Sequence, residues 1–305
     1  MAARTTKSTS VRALNLGMGA LERFAPGLGA RWVERIWFAV PTPRRPMRGR
    51  AAPGGTPFEL SVDGATVRGR RWGHGEEIIY LVHGWGSSSA QLSAFIEPLL
   101  DSDFSVVAYD ALSHGRSDPG PSGPRRSNVL EHAAVLRAVV TAHGPAYGVV
   151  AHSLGAMAAA LAMREGIVPQ RAVYVAPMVD VTSYGEPFLR MLGAGQRIWT
   201  RFVDRVERRL GVTLSYFDVE ALPDELATPP VLIVHDRDDP ETGWAGSQEL
   251  ARTWPDARLL TTSGLGHNRI LADPAVVSAT VAFLRQQVSG DESGTAMTVA
   301  GVPAD

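Results

Sequence analysis

Residues 147–158 read YGVVAHSLGAMA. Tyr147–His152 is an apolar run with the look of a buried strand, and Leu154 opens a run of small helix formers. Ser153 sits at the junction, with Ala151 two residues before it and Gly155 two after. A strand that passes at once into a helix must turn within a residue or two, and crowding there admits only small side chains at those two positions. The same bend lifts the central hydroxyl clear of the sheet. It also sets that hydroxyl against a helix N-terminus, whose free N–H groups and positive dipole end favour developing negative charge. Ser153 is therefore a nucleophile candidate, with the Leu154 N–H as an oxyanion donor. The plain alternative is a serine capping a core helix.

Outward from this stretch the same pattern repeats. IIYLVH (78–83), SVVAYD (105–110), RAVYVA (171–176), PVLIVH (230–235) and ARLLTT (257–262) are continuous rather than alternating apolar runs. Such runs mark strands buried on both faces, as in a parallel sheet. Helical patterns fall between them, at roughly 88–100, 127–142, 154–165, 243–253 and 273–288, so the expected class is α/β with helices on both faces of a mostly parallel sheet. FELSVDGATVRGRRW (58–72) reads as an antiparallel hairpin turning at Asp63-Gly64. The rhythm breaks between Ala176 and Pro230. There EPFLRMLGAGQRIWTRFVDRVERRLG (186–211) keeps its apolar residues along one face and most arginines off it, which reads as a small helical cap over the sheet edge. Simple packing of that face on the main domain is the competing reading.

The expected organisation is a basic N-terminal extension (1–57), an α/β core (58–177 and 229–288), a helical cap (178–228) and a disordered tail (289–305). Within the extension, residues 1–15 read as frayed. LGARWVERIWFA (28–39) has helical periodicity, and PTPRRPMRGRAAPGGTP (41–57) reads as a linker. The helix either packs its Trp face on the main domain or lies on a membrane surface.

Composition narrows the partners. The chain has 305 residues and a net charge of −1, so bulk electrostatics offer nothing to nucleic acid. The even total hides an asymmetry: residues 1–50 hold ten Lys and Arg against two Glu, a net +8. That segment could touch anionic lipid, making peripheral membrane contact through residues 1–50 a further expectation. With no cysteine there is no disulfide scaffold, no thiol nucleophile and no thiolate metal site. No run approaches ~18 apolar residues and no export signal stands out, so the expected location is cytoplasmic.

A serine hydroxyl needs a base to take its proton. SGLGHNRI (263–270) follows the last strand, and its glycines let the loop carry His267 inward. The imidazole needs an orienting carboxylate, and VLIVHDRDDPET (231–242) offers Asp236, Asp238 and Asp239 just past a strand end. One of these reads as a turn former, and with His235 they also make a competing cation-site reading. In YLVHGWGSSSAQL (80–92), Gly84 and Gly86 let the backbone run close to the nucleophile, with the Trp85 N–H as second oxyanion donor. Ser88 with Gln91 reads as a helix cap, and His83 as structural.

HGW (83–85), YDALSHGRSD (109–118), AHSLGA (151–156), HDRDD (235–239) and GLGH (264–267) follow one another in this order. On these motifs, over residues 58–288, the chain resembles the serine-type α/β-hydrolase superfamily, esterase-like and with a helical cap. Ala151 stands where the usual G-x-S-x-G pattern has its first glycine. The resemblance implies a Ser–His–Asp triad of Ser153, His267 and a carboxylate, acting without cofactor or metal. In the family's H-G-x-x-D acid loop the carboxylate matches Asp239, with Asp236 in the glycine place and Asp238 as fallback. Some relatives take the acid after the preceding strand, where Asp180 stands. By the same resemblance Asp110 and Arg116 brace the site, and a serine nucleophile sets the chain apart from dehalogenases and epoxide hydrolases that use Asp. The implied reaction is hydrolysis of a small-molecule carboxylic ester with an apolar acyl or alkyl portion, through an acyl-enzyme. An acyltransferase or perhydrolase using the same acyl-enzyme is one alternative; a catalytically inactive hydrolase-like binding protein is another.

Overall fold

The six continuous apolar runs and the hairpin all enter one eight-stranded sheet. The computed structural model describes residues 14–41 and 54–286. The start of the chain, most of the linker, the end of the last helical pattern and the tail over 289–305 lie outside the described residues. A helical stretch over 14–24 precedes the named elements. In chain order these are α1 (Pro26–Trp37), β1 (Thr56–Val62), β2 (Ala65–Trp72), β3 (Ile78–Val82), α2 (Ile96–Leu100), β4 (Ser105–Asp110), α3 (Val129–His143), β5 (Ala146–His152) and α4 (Leu154–Arg164). There follow β6 (Arg171–Val175), α5 (Thr182–Met191), α6 (Gln196–Leu210), β7 (Val231–Asp236), α7 (Trp244–Thr253), β8 (Ala257–Thr262), α8 (Gly266–Arg269) and α9 (Pro274–Leu284).

The strand order is β1-β2-β4-β3-β5-β6-β7-β8. β2 runs antiparallel to both β1 and β4, and every other neighbouring pair is parallel. Asp63 (φ 51°) and Gly64 (φ 78°) make the two-residue turn of the hairpin, both in the left-handed region that matches strand twist. The central strands lack a period-2 pattern because both faces are covered. Ile78, Tyr80 and Val82 of β3 pack into one layer with Leu136 of α3 and Met157 of α4. Ile79 and Leu81 pack into the opposite layer with Phe95, Leu99 and Leu284. All parallel strands consequently end at one sheet edge, where loops can converge.

One local expectation differs from the structure. The segment over 88–100 is a 3₁₀ helix, Ser89–Phe95, running into the short α2, and Ser88 makes no side-chain cap. Asp110 Oδ1 instead accepts the Ser89 N–H at 2.7 Å, and Gln91 Oε1 accepts the Gly84 N–H at 3.1 Å. These bonds satisfy the free amides and tie the loop to β4, so a local cap is superfluous. The apolar stripe over 186–211 is carried by two helices, α5 and α6, parted where Gly193 takes φ 77° and a Cβ would sit 2.8 Å from the Asn15 Cα.

The α6 stripe is covered by the N-terminal helices. Ile198, Trp199, Phe202 and Val206 pack with Met18, Ala30, Val33 and Phe38 in a third apolar cluster. Trp37 meets Phe188 and Phe202 edge-on, at 5.5 and 5.4 Å between ring centroids. Gly29 is required here, since a Cβ would lie 2.5 Å from Ile198 Cδ1. Buried Glu34 pairs with Arg205 and Arg209, and Glu22 accepts the Gly195, Arg197 and Ile198 N–H groups at the start of α6. The N-terminal helix thus packs chiefly on the insertion between β6 and β7, with Phe38 and Val40 tied to residues 125 and 127 of the core. Among the described residues no helix is long and apolar enough to cross a membrane.

Candidate active site

Ser153 links β5 to α4 with φ 54° and ψ −123°, a conformation an L-residue holds only under constraint. Its neighbours show the constraint. A Cβ on Gly155 would lie 2.6 Å from Val82 O and 2.7 Å from His83 O, so the start of α4 presses on the end of β3. Ser153 N–H donates to Val175 O, and Ser153 O accepts from Ala156 and Met178. The backbone is pinned on both sides, and the side chain is half-buried.

His267 lies on α8, just past β8. Its Nε2 is 3.0 Å from Ser153 Oγ and its Nδ1 is 2.7 Å from Asp239 Oδ2. The Asp239 side chain is fully covered. Its Oδ1 accepts the Glu241 and Thr242 N–H groups, and its Oδ2 accepts the Thr242 hydroxyl at 3.0 Å and lies 3.3 Å from His235 Nε2. Burial alone would push this carboxyl up. The hydrogen bonds from His235, His267 and the Glu241 amide outweigh it and hold the group well below the usual carboxylate range. An ionised Asp239 can only accept, so His267 Nδ1 carries the proton and the Nε2 lone pair faces the serine hydroxyl.

The other two acid candidates are directed elsewhere. Asp238 Oδ2 accepts the Gly264 N–H at 2.9 Å, and Asp180 accepts from the Ser183 amide and hydroxyl at the start of α5. Asp236, in the glycine place of the motif, is wholly buried. It accepts Thr262 Oγ1 at 2.7 Å, Leu265 N–H at 3.0 Å and Asp238 N–H at 3.0 Å. Asp236 and Asp238 therefore stitch the acid loop to the histidine loop rather than forming a cation cluster. Among the described residues no group of three or more His, Asp or Glu is arranged to hold a metal ion.

On the oxyanion side, a Cβ on Gly84 would sit 3.1 Å from Ser153 Cβ, so this backbone passes directly beside the nucleophile candidate. His83 Nε2 accepts the Ala111 N–H at 3.0 Å, which leaves the proton on Nδ1 to donate to Gly84 O at 2.8 Å. The N–H of a trans peptide points opposite to its C=O, so that bond turns the Trp85 N–H away from the His83 ring. Leu154 is the first residue of α4, where amides lack an intrahelical acceptor. Asp110 holds the Ser89 and Arg116 amides, tying this loop to the segment after β4.

Several contributors escaped the sequence reading. His152 donates from Nε2 to the His267 carbonyl at 3.0 Å, and burial together with the neighbouring His267 pushes its pKa down to about 3. Its position immediately before Ser153 was the available signal. Thr242 Oγ1 lies within donating distance of both Asp239 Oδ2 (3.0 Å) and Ala176 O (3.2 Å), which share its one proton, and nothing in its sequence surroundings announces that. At the rim, Glu241 Oε2 lies 3.8 Å from His267 Nε2, and Glu241 Oε1 accepts from Asn268, whose Oδ1 accepts from Gln91. Partial burial, with the Glu241 charge second, raises the pKa of the Tyr184 phenol on α5. A cleft of about 310 Å³ borders His267, Pro240, Glu241, Leu265 and Asn268 but does not reach Ser153. A hydroxyl, an imidazole with a free lone pair and a buried carboxylate in series can move a proton from oxygen to nitrogen while a nucleophile attacks.

The model of the alpha/beta hydrolase family matches residues 79–280. A non-heme haloperoxidase from Rhodococcus erythropolis is 25% identical over 268 residues, covering 73% of this chain and 97% of that protein. The dihydrolipoyllysine-residue acetyltransferase component of the acetoin cleaving system of Cupriavidus necator is 34% identical over 129 residues, 41% of this chain. The match spans only 32% of that protein's length. Among solved structures, the esterase RhEst1 from Rhodococcus sp. ECU1013 superposes with a TM-score of 0.54 at 21% identity, over 74% of this chain and 97% of the other, a likeness of fold alone. The family match runs from the second residue of β3 into α9, encloses Ser153, Asp239 and His267, and covers more than half of the sequence: the chain belongs to the alpha/beta hydrolase family.

Proposed function

We propose that the protein is a serine hydrolase that cleaves carboxylic esters with an apolar acyl or alkyl portion. The observation that carries this reading is the unbroken hydrogen-bond series Ser153–His267–Asp239. In it, Ser153 Oγ attacks the ester carbonyl while His267 Nε2 takes its proton, and Asp239 steadies the imidazolium. The Trp85 and Leu154 amides receive the developing oxyanion, and losing one such donor raises the barrier by about 3 kcal/mol. His267 then protonates the leaving alcohol. Water then attacks the acyl carbonyl while giving a proton to the same nitrogen, and that proton passes to Ser153 Oγ as the acid departs. Neither a cofactor nor a metal takes part in these steps.

The test is labelling with a fluorophosphonate probe, followed by an ester panel of graded acyl length. Wild type is expected to label and Ser153→Ala to stay unlabelled and inactive. Persistent labelling of the alanine variant would refute the assignment. The likeness to an acetyltransferase component and to a haloperoxidase supports a second reading, in which the acyl-enzyme passes to an alcohol or to peroxide instead of water. Product ratios with added alcohol and peroxide distinguish acyltransferase or perhydrolase from esterase. A dead site serving only binding would leave both assays blank.

A further inference from the structure

Single apolar side chains on a surface are ordinary; their concentration on one part of it is not. Six large apolar side chains are exposed among the described residues, and five of them, Leu16, Phe24, Leu28, Tyr184 and Met191, lie on the N-terminal helices and α5. Leu16 is 77% exposed, Phe24 79% and Met191 64%. The helical stretch over 14–24 already has its packed side. Leu14, Met18 and Leu21 face the cluster shared with the insertion. Leu16, Ala20 and Phe24 point the other way, so this stretch is apolar on both sides. A Cβ on Gly193 would lie 2.8 Å from Asn15 Cα, so the residue before Leu16 sits against the turn that follows Met191.

Arginines outnumber acids at this edge, where the exposed acids are Asp204 on α6 and Glu186 on α5. Arg23, Arg31, Arg35, Arg197 and Arg201 are exposed, with the Arg23 guanidinium 5.4 Å from the Phe24 ring centroid. The acidic residues of the same helices, Glu22 and Glu34, are engaged by the α6 amides and by Arg205 and Arg209. That leaves Arg23, Arg31 and Arg35 outermost on the N-terminal helices, within a segment of net charge +8 over residues 1–50.

We propose that this edge docks on an anionic lipid surface. Leu16, Phe24, Leu28 and Met191 enter the boundary between headgroups and acyl chains, and the arginines meet lipid phosphates. The inference stands independently of the hydrolase reading. The test is sedimentation of the full-length protein with vesicles of phosphatidylcholine, with and without about one-third phosphatidylglycerol. Binding is expected on the anionic vesicles only and lost on raising salt to about 1 M. The triple variant Leu16→Gln, Phe24→Gln, Leu28→Gln should partition about tenfold or more less strongly. Val168→Gln, which alters the sixth exposed side chain, should bind as wild type. Far-ultraviolet circular dichroism and Ser153 labelling should match wild type in both variants, which keeps folding and catalysis separate from docking. The proposal fails if wild type ignores anionic vesicles or if the triple variant binds them equally. It also fails if the protein is a dimer that the triple variant turns into a monomer with no vesicle binding by either, since the edge would then belong to a second copy.

Discussion

Three aspartates compete for one histidine, and their hydrogen bonds separate them. Asp239 is covered and receives two backbone amides, a hydroxyl and the His267 Nδ1–H, whereas Asp238 serves the Gly264 amide and Asp180 serves Ser183. Asp239→Asn keeps the shape but presents an amide where an acceptor is needed, which favours the wrong imidazole tautomer. Its kcat should fall by about 10⁴, while Asp238→Asn and Asp180→Asn stay within about tenfold of wild type. Ester turnover by the three variants checks this, and equal losses would remove Asp239 from the proposed triad. That Ser153 and His267 could meet was readable because each follows a strand and sits next to small residues, a local signal. The bare residues left the choice among the aspartates open, since neighbours in one turn look alike until their side chains have partners, and the preference for Asp239 came from the family resemblance alone. His152 and Thr242 act across 115 and 66 positions, on His267 and Ala176, so no local window contains the pair.

At the level of elements, strands were easier to read than their surroundings. A strand buried on both faces carries its own signature, and each of the six runs became one. An amphipathic helix announces that one face is covered but not by what, which is why the partner of α1 stayed open until α6 was seen against it. The break between α5 and α6 was written in the LGAG of residues 192–195, yet the apolar spacing runs on through it. Glu22 is the clearest non-local contact: its carboxylate takes three amides at the start of α6, work usually done by a residue at the helix's own N-cap. Gly195, at that N-cap, supplies no side chain. Glu22→Ala should therefore destabilise the contact by about 1–2 kcal/mol and speed hydrogen exchange of the first α6 amides by about tenfold or more. The amides of α3, capped by its own Asn128, serve as the internal standard and should not change.

For the molecule as a whole, buried histidines set the acid limit. His83, His114, His132 and His152 are all buried, and desolvation is the first cause lowering each of their pKa values, to about 3 for His114 and His152. In the unfolded chain such groups titrate near ~6.5. As pH falls below that value, the unfolded chain takes up protons that the folded one refuses. Their contribution to stability is thus complete above about 6.5 and drains away toward about 3, at up to ~1.4 kcal/mol per pH unit for each histidine. The lowered carboxyls of Asp236 and Asp239 act in the same sense at lower pH. Urea midpoints should be flat above about pH 7 and drop steeply between about 6.5 and 4, and His132→Leu should make that drop shallower by about one proton. An unchanged slope would count against a neutral buried His132. The partnership of α1 with α6 bears on synthesis as well. Ala30, Val33 and Phe38 leave the ribosome some 160 residues ahead of Ile198 and Phe202, the side chains that will cover them. At about 5–20 residues per second they wait roughly 10–30 s in the open. These helices are translated long before their cover, and a nascent chain stalled short of α6 offers a holding chaperone a greasy handle that the finished fold hides.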